Sequence, residues 1–225
     1  LFLYAHYNYS AGRFFCVMAL PCLLSLAYIG VLIFRRLDAP LTLTLPGLPR
    51  PERRTTLVLL ALLLVNIAAV LHVLPKLWAL GVTLAAVLLL NWRLLLAADY
   101  SLLLTFIGFF IFIGNISHTS IAAYLQGSLL GTATGTYLAA LLSSQFISNV
   151  PAAMLLAGLT QEADALLLGV NIGGLGTMIA SMASVISYKL FVAEQPTLAG
   201  RYLRTFLYYN FAGLLLIGGL VYCII

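Results

Sequence analysis

Two short stretches could do chemistry in a chain that is otherwise almost wholly apolar: Ser148-Asn149-Val150-Pro151 and Asn171-Ile172-Gly173-Gly174-Leu175-Gly176-Thr177. In the first, Ser148 and Asn149 are good helix N-caps, and Pro151 suits a first turn because its missing N–H would be unpaired there anyway. A helix that starts at this point aims about half a positive charge of dipole, and several unpaired N–H groups, at whatever lies before it. That end suits an anion, and the carbonyls that close the preceding segment suit a cation such as Na+. The second stretch sets three glycines and an asparagine midway along an apolar run. Each glycine costs a helix about 1 kcal/mol relative to alanine, so the cluster argues for an unwound middle. Close helix packing through small residues explains the glycines taken alone. Beside a second breaker, a discontinuous helix is the better reading, because two broken elements facing each other form a binding site with few charges.

Hydrophobic residues make up 63% of the chain and charged residues 8%, against about 25% charged in soluble domains. The fold class is therefore all-α integral membrane, read as one compact domain. From Tyr100 to Gln161 there is no Asp, Glu, Lys or Arg in 62 residues, and the Ser148 tetrapeptide sits near the end of that run. In hydrocarbon each unsatisfied backbone group costs several kcal/mol, so irregular backbone is tolerated only where it is covered by protein or lines a cavity. The usual occasion is a transport site.

Charge-free runs of about 20 residues mark crossings: 14–34, 55–74, 77–98, 100–117 and 205–225, with a broken helix over 165–188. Residues 1–13, with Tyr4, His6, Tyr7 and Tyr9, read as an interfacial segment rather than a signal peptide, ahead of a membrane domain over 14–225. The loop 37–54 is broken by four prolines and Gly47. Residues 151–161 rise only about 16 Å as helix, around half of a roughly 30 Å core. A re-entrant hairpin over 133–161 fits better than two crossings: 133–146 descends, 148–151 turns near the midplane, and 152–161 returns. Two ordinary helices joined by a surface loop are the alternative.

Six crossings and such a hairpin put Arg35, Arg36, Arg50, Arg53, Arg54, Arg93, Lys189, Arg201 and Arg204 on one side, and only Arg13 and Lys76 on the other. This positive-inside bias places both chain ends outside a bacterial inner membrane. It also accounts for the net charge of +5 without nucleic acid.

Other residues read more plainly. Gly127, Gly131 and Gly135 suggest tight helix packing. His72 and His118 sit at span ends, Asn115 suits an interhelical hydrogen bond, and Asp99, Glu162 and Asp164 flank spans as solvated groups. Cys16, Cys22 and Cys223 are small hydrophobes with no metal or redox spacing. No carboxylate or lysine falls at a span centre, which disfavours an intramembrane proton relay. The motifs of serine or aspartyl intramembrane proteases and of nucleotide hydrolysis are missing, so the chain does not read as an enzyme.

The run Ser143-Ser144-Gln145-Phe146-Ile147-Ser148-Asn149-Val150-Pro151-Ala152-Ala153, followed by Asn171 through Ser181, resembles the second half of the ion transporter superfamily. The arsenite-permease and citrate-transporter-like branch, with an Asn-x-Pro turn at a hairpin tip, is the nearest likeness. The resemblance implies half of an inverted-repeat fold, with substrate held between hairpin tips. By that analogy Ser148, Asn149, Val150, Asn171, Gly174, Gly176 and Thr177 help form the ion and substrate site; Pro151 and Gly173 join them as the breakers themselves. Ser-Asn-Val-Pro occurs once, and the chain begins at Leu1, so an N-terminal repeat of the same protein is expected as a partner. The function expected is secondary transport of a small anion or oxyanion, carboxylate- or arsenite-like, by alternating access, with Na+ or H+ as coupling ion and no other cofactor. The bilayer and a small anionic substrate are the remaining partners, with a homodimer left open. The alternative is a non-transporting membrane subunit or assembly protein that packs partner helices.

Overall fold

The computed structural model describes residues 2–35, 52–71, 73–96, 100–116, 119, 120, 124, 127 and 129–225. His72, Asp99, His118 and most of the loop 37–54 lie outside the described residues. Every regular element among those described is helical, and the chain divides into two compact units, where its composition had suggested one.

The first unit covers 38–103. Its described helices are α3 (Arg53–Val70), α4 (Lys76–Asn91) and the short α5 (Arg93–Leu96), and the first residues of α6 (Tyr100–Ile116) also fall here. Asn66 on α3 donates through Nδ2 to its own Leu62 carbonyl at 2.8 Å and to Thr83 Oγ1 on α4 at 3.0 Å, a polar rivet between two leucine-rich faces. The crossing expected over 77–98 is interrupted at Trp92. There the Asn91 side chain accepts the Arg93 N–H at 3.1 Å, capping α5 and closing α4.

The second unit holds 2–37 and 104–225. It comprises α1 (Phe2–His6), α2 (Ala11–Phe34), the rest of α6, α7 (Ala133–Ile147), α8 (Asn149–Ala157), α9 (Ala163–Ile172), α10 (Met182–Glu194) and α11 (Ala199–Tyr222). Single 3₁₀ turns, Met178–Ala180 and Pro196–Leu198, precede α10 and α11. α7 lies at the centre. Against it Gly169 on α9 comes so close that a β-carbon there would stand 2.6 Å from the Tyr137 carbonyl and 2.7 Å from Ala140 Cβ. Tyr137, almost fully buried, donates its hydroxyl to the Gly218 carbonyl of α11 at 2.9 Å. Tyr28 on α2 does the same to Tyr209 at 2.7 Å. The first bond gives a buried phenol the partner it needs in an apolar setting, and the second does so for a half-buried one.

Ala11–Phe34, Arg53–Val70 and Pro196–Tyr222 are long and apolar enough to cross a membrane. Several expectations shift. α11 begins six residues before position 205, so Arg201 and Arg204 belong to its first turns rather than to a loop, and Lys189 lies inside α10. Arginine is a good helix former and interrupts nothing at a helix start. Residues 2–10 pack inward: Leu3, Tyr4 and Tyr9 are buried in the core that contains Ala152, Ala153 and Leu156 of α8. Gly127 has open space around it. Gly135 is tight because the chain folds back on it, with its N–H donating to the capping Thr132 Oγ1 at 3.1 Å, and not because helices cross there.

Candidate functional site

The segment 130–161 forms a closed helical hairpin. Its tip is Ser148, at φ 72° and ψ 152°, a conformation that L side chains seldom adopt and that ends α7 and starts α8 in one step. Its base is a buried knot. Thr160 Oγ1 donates to the Leu130 carbonyl at 2.7 Å, while Thr136 Oγ1 lies 3.0 Å from Thr160 Oγ1 and 3.1 Å from that same carbonyl. Thr136 and Thr160 stand equally far in sequence from Ser148, so the arms run antiparallel and match in length. Each spans about 18 Å at helical rise, roughly half the thickness of a bilayer core.

The N-terminal segment holds this base from outside. Tyr7 donates its hydroxyl to the carbonyls of Thr160 (2.9 Å) and Ala157 (3.2 Å). Tyr9 donates to Asp164 Oδ1 at 2.5 Å, and Arg13 pairs with Asp164 Oδ2 at 2.9 Å. Asp164 is thus paired rather than simply solvated. Burial pushes the Tyr7 phenol up to about 12. It raises Tyr9 as well, with the Asp164 carboxylate adding to the effect. Burial alone would raise Asp164, but the hydrogen bonds from Tyr9 and Arg13, with the arginine's charge, hold it below its ordinary value.

The glycine cluster is unwound as expected from its composition. α9 ends at Ile172, residues 173–177 are non-helical, and α10 begins only at Met182, capped by Ser181 Oγ on the Ala183 N–H. What fills the gap is Gln145, from the last turns of α7. Its Nε2 donates to the carbonyls of Gly173 (2.8 Å) and Leu175 (3.0 Å), and its Oε1 accepts the Thr177 N–H at 3.0 Å. The Thr177 hydroxyl donates to the Gln145 carbonyl at 2.9 Å. One amide side chain therefore supplies the partners that regular helix would have given. Gly176, at φ +104°, lies against this amide, and a β-carbon there would run into Gln145 Oε1. Gly173 is pressed on Ser144, with 2.9 Å from a built β-carbon to the Ser144 side chain.

The residues singled out in the sequence divide into four groups. Ser148, Asn149 and Gly174 come together at the tip: a β-carbon on Gly174 would stand 3.1 Å from Asn149 Nδ2. Ser148 Oγ is buried with no hydrogen-bond partner, and it gives α8 no side-chain cap. Leaving such a hydroxyl unpaired costs about 1–3 kcal/mol, which calls for a reason. Val150 and Pro151 form the first turn of α8, where Pro151 is buried. Gly173, Gly176 and Thr177 belong to the Gln145 lock. Asn171 stands apart. Its Nδ2 donates to the Leu167 carbonyl at 2.7 Å, and the residue lines a separate cavity of about 430 Å³ beside Pro21 and Ser25 of α2.

Gln145 and Ser144 were not among the site residues expected from the sequence. The available signal was a long amide one helical turn before a chain breaker, inside a run with no charges.

At the tip, then, the uncapped N-terminus of a buried nine-residue helix, an orphan hydroxyl and an amide converge without any charged side chain. Such a set can replace the hydration of a small anion or a neutral polyhydroxyl species.

Known proteins extend this picture. The chain is 32% identical to Inner membrane protein YbiR of Escherichia coli (strain K12) over 159 residues, which cover 64% of this chain and 39% of that protein. It is 37% identical to Uncharacterized transporter MJ0456 of Methanocaldococcus jannaschii over 124 residues, 55% of this chain and 31% of the relative. The chain thus matches well under half the length of either. No family model matches it, and no solved structure matches it significantly. Its long apolar helices and its likeness to a named inner membrane protein place the chain in a membrane.

Proposed function

We propose that this chain is part of a secondary transporter that moves a small anion or oxyanion across the inner membrane, with cargo bound at the tip formed by Ser148, Asn149 and Gly174. The observation that carries the reading is the buried, unpartnered Ser148 hydroxyl at the uncapped start of α8. A polar group left in that state gains most from a ligand that supplies the missing partner. One of the two similar proteins is named a transporter, which supports the class of activity but not a cargo.

In this reading the chain crosses the membrane six times, the hairpin re-enters from one side, and its tip lies near the midplane with the unwound 173–177 stretch beside it. Carbonyls near Ser148 and Gly174 would take a coupling Na+. Absence of a charged clamp at the tip favours carboxylates and neutral hydroxides such as arsenite over highly charged cargo.

Uptake and efflux of citrate, succinate and arsenite by the full-length protein in proteoliposomes test the proposal. Asn149→Ala removes the tip amide, and Gly174→Leu drives a side chain into it. Both variants should insert normally and lose transport. Wild-type rates in both would remove the tip from the pathway. A subunit that only packs partner helices would tolerate both changes.

A further inference from the structure

Beyond the tip, the connection between α10 and α11 carries a cavity of about 360 Å³ lined by the rings of Phe191, Tyr202, Phe206 and Tyr209 together with Arg201 and Thr205. The rings are ordered against one another. Phe191 and Tyr202 have centroids 4.6 Å apart, and Tyr202 and Phe206 lie at 6.1 Å and 17°. The Tyr202 hydroxyl is fixed 2.7 Å from Ser187 Oγ.

The one charged residue of this lining is a cation, Arg201. Arg204 lies one turn further along α11 and outside that lining, and neither arginine has an ion-pair partner among the described residues. The first turn of α11 contains no acid, and its N-cap, Leu198, supplies no side-chain bond there; the Ala199 N–H is taken by the Pro196 carbonyl of the preceding 3₁₀ turn. The dipole of a 24-residue helix therefore adds to the two guanidinium groups. At helical rise α11 is about 36 Å long, roughly one turn more than a bilayer core. A crossing α11 would put its start, with Arg201, among headgroups and the rings of Phe206 and Tyr209 in the upper acyl region.

We propose that this groove binds one anionic phospholipid, its phosphodiester held by Arg201, Arg204 and the start of α11, and one acyl chain lying along Phe191, Tyr202 and Phe206. An arginine and apolar rings in one lining match the two parts of such a molecule, and basic pockets between membrane helices commonly take acidic headgroups. A soluble phosphate would use only the cationic part of this surface. The proposal needs the membrane location alone and is independent of the cargo at Ser148.

Native mass spectrometry of the full-length protein in detergent, titrated with phosphatidylglycerol or phosphatidylcholine of equal chain length, provides the test. One phosphatidylglycerol should be retained in preference to phosphatidylcholine. Combined Arg201→Gln and Arg204→Gln should weaken it about thirtyfold, and the corresponding lysine pair should keep most of the affinity. Thr205→Trp, which fills the groove and spares both arginines, should also abolish retention. Glycerol 3-phosphate at millimolar concentration should not displace the lipid. Equal retention of the two lipids, no adduct at all, unchanged binding in the glutamine variant, or displacement by glycerol phosphate would each overturn the proposal.

Discussion

Thr177 donates both its backbone N–H and its hydroxyl to a single residue, Gln145, at 3.0 Å and 2.9 Å. Because Gln145 lies one turn before the hairpin tip, the pairing fastens the descending arm to the unwound stretch that follows α9. The two broken elements are therefore one mechanical piece. A displacement of the hairpin would carry residues 173–177 with it as long as these bonds hold.

Replacing this amide tests the fastening. Gln145→Leu keeps the volume but leaves the Gly173 and Leu175 carbonyls without their donor. It should lower stability by about 2–4 kcal/mol. Thermal unfolding in detergent reads the loss, and faster amide exchange confined to 173–177 would localise it.

Gly176 makes the same point from the other side of the contact. Gly176→Ala places a β-carbon against Gln145 at a backbone angle that alanine resists, for a loss of about 2 kcal/mol or more. Gly219→Ala, on α11 with nothing within 4 Å of its built β-carbon, should be neutral or stabilising by up to about 1 kcal/mol. Equal effects would mean that the Gly176 contact is not tight.

Ser148→Ala separates binding from folding. The hydroxyl has no partner to lose, so its removal should leave the unfolding temperature unchanged or higher. Transport of the cognate anion should fall at the same time. A coupled loss of stability and transport would assign Ser148 to the scaffold.

The clasp at the hairpin base sets a pH dependence. Asp164 is held below its ordinary value of 3.8 in the folded chain. A carboxyl lowered on folding contributes stability that is complete above its unfolded value and disappears as pH falls through the folded one. The clasp should therefore be indifferent to pH from neutrality to mild acid and weaken below about pH 4. Asp164→Asn should flatten that acid limb in melts followed against pH, and Tyr9→Phe should shift it toward higher pH.

Much of the helical plan was legible because apolar length, glycine clusters and prolines act locally. The break over 173–177 and the turn at Ser148 follow from residue type alone. What the sequence hid is tertiary. Nothing in one dimension says that Gln145 reaches residues 28 to 32 positions away, or that Tyr7 and Tyr9 fold onto a hairpin base some 150 residues downstream. Asn171, which opens the glycine run and by resemblance read as a site residue, bonds back to the Leu167 carbonyl and lines a cavity beside α2, a contact no sequence pattern shows. The interruption at Trp92 was also hidden, since Asn91 and Arg93 read equally well inside a continuous apolar span until the Asn91 cap is seen.

Depth at the tip decides most. In full-length protein with Cys16, Cys22 and Cys223 replaced by alanine, Ser148→Cys and Gly158→Cys are compared for reaction with a membrane-impermeant maleimide. A cargo-bearing tip within the bilayer gives fast labelling at position 158 near the hairpin base, slow labelling at 148, and further protection at 148 when transported anion is added. Fast labelling at 148, indifferent to anion, would contradict it.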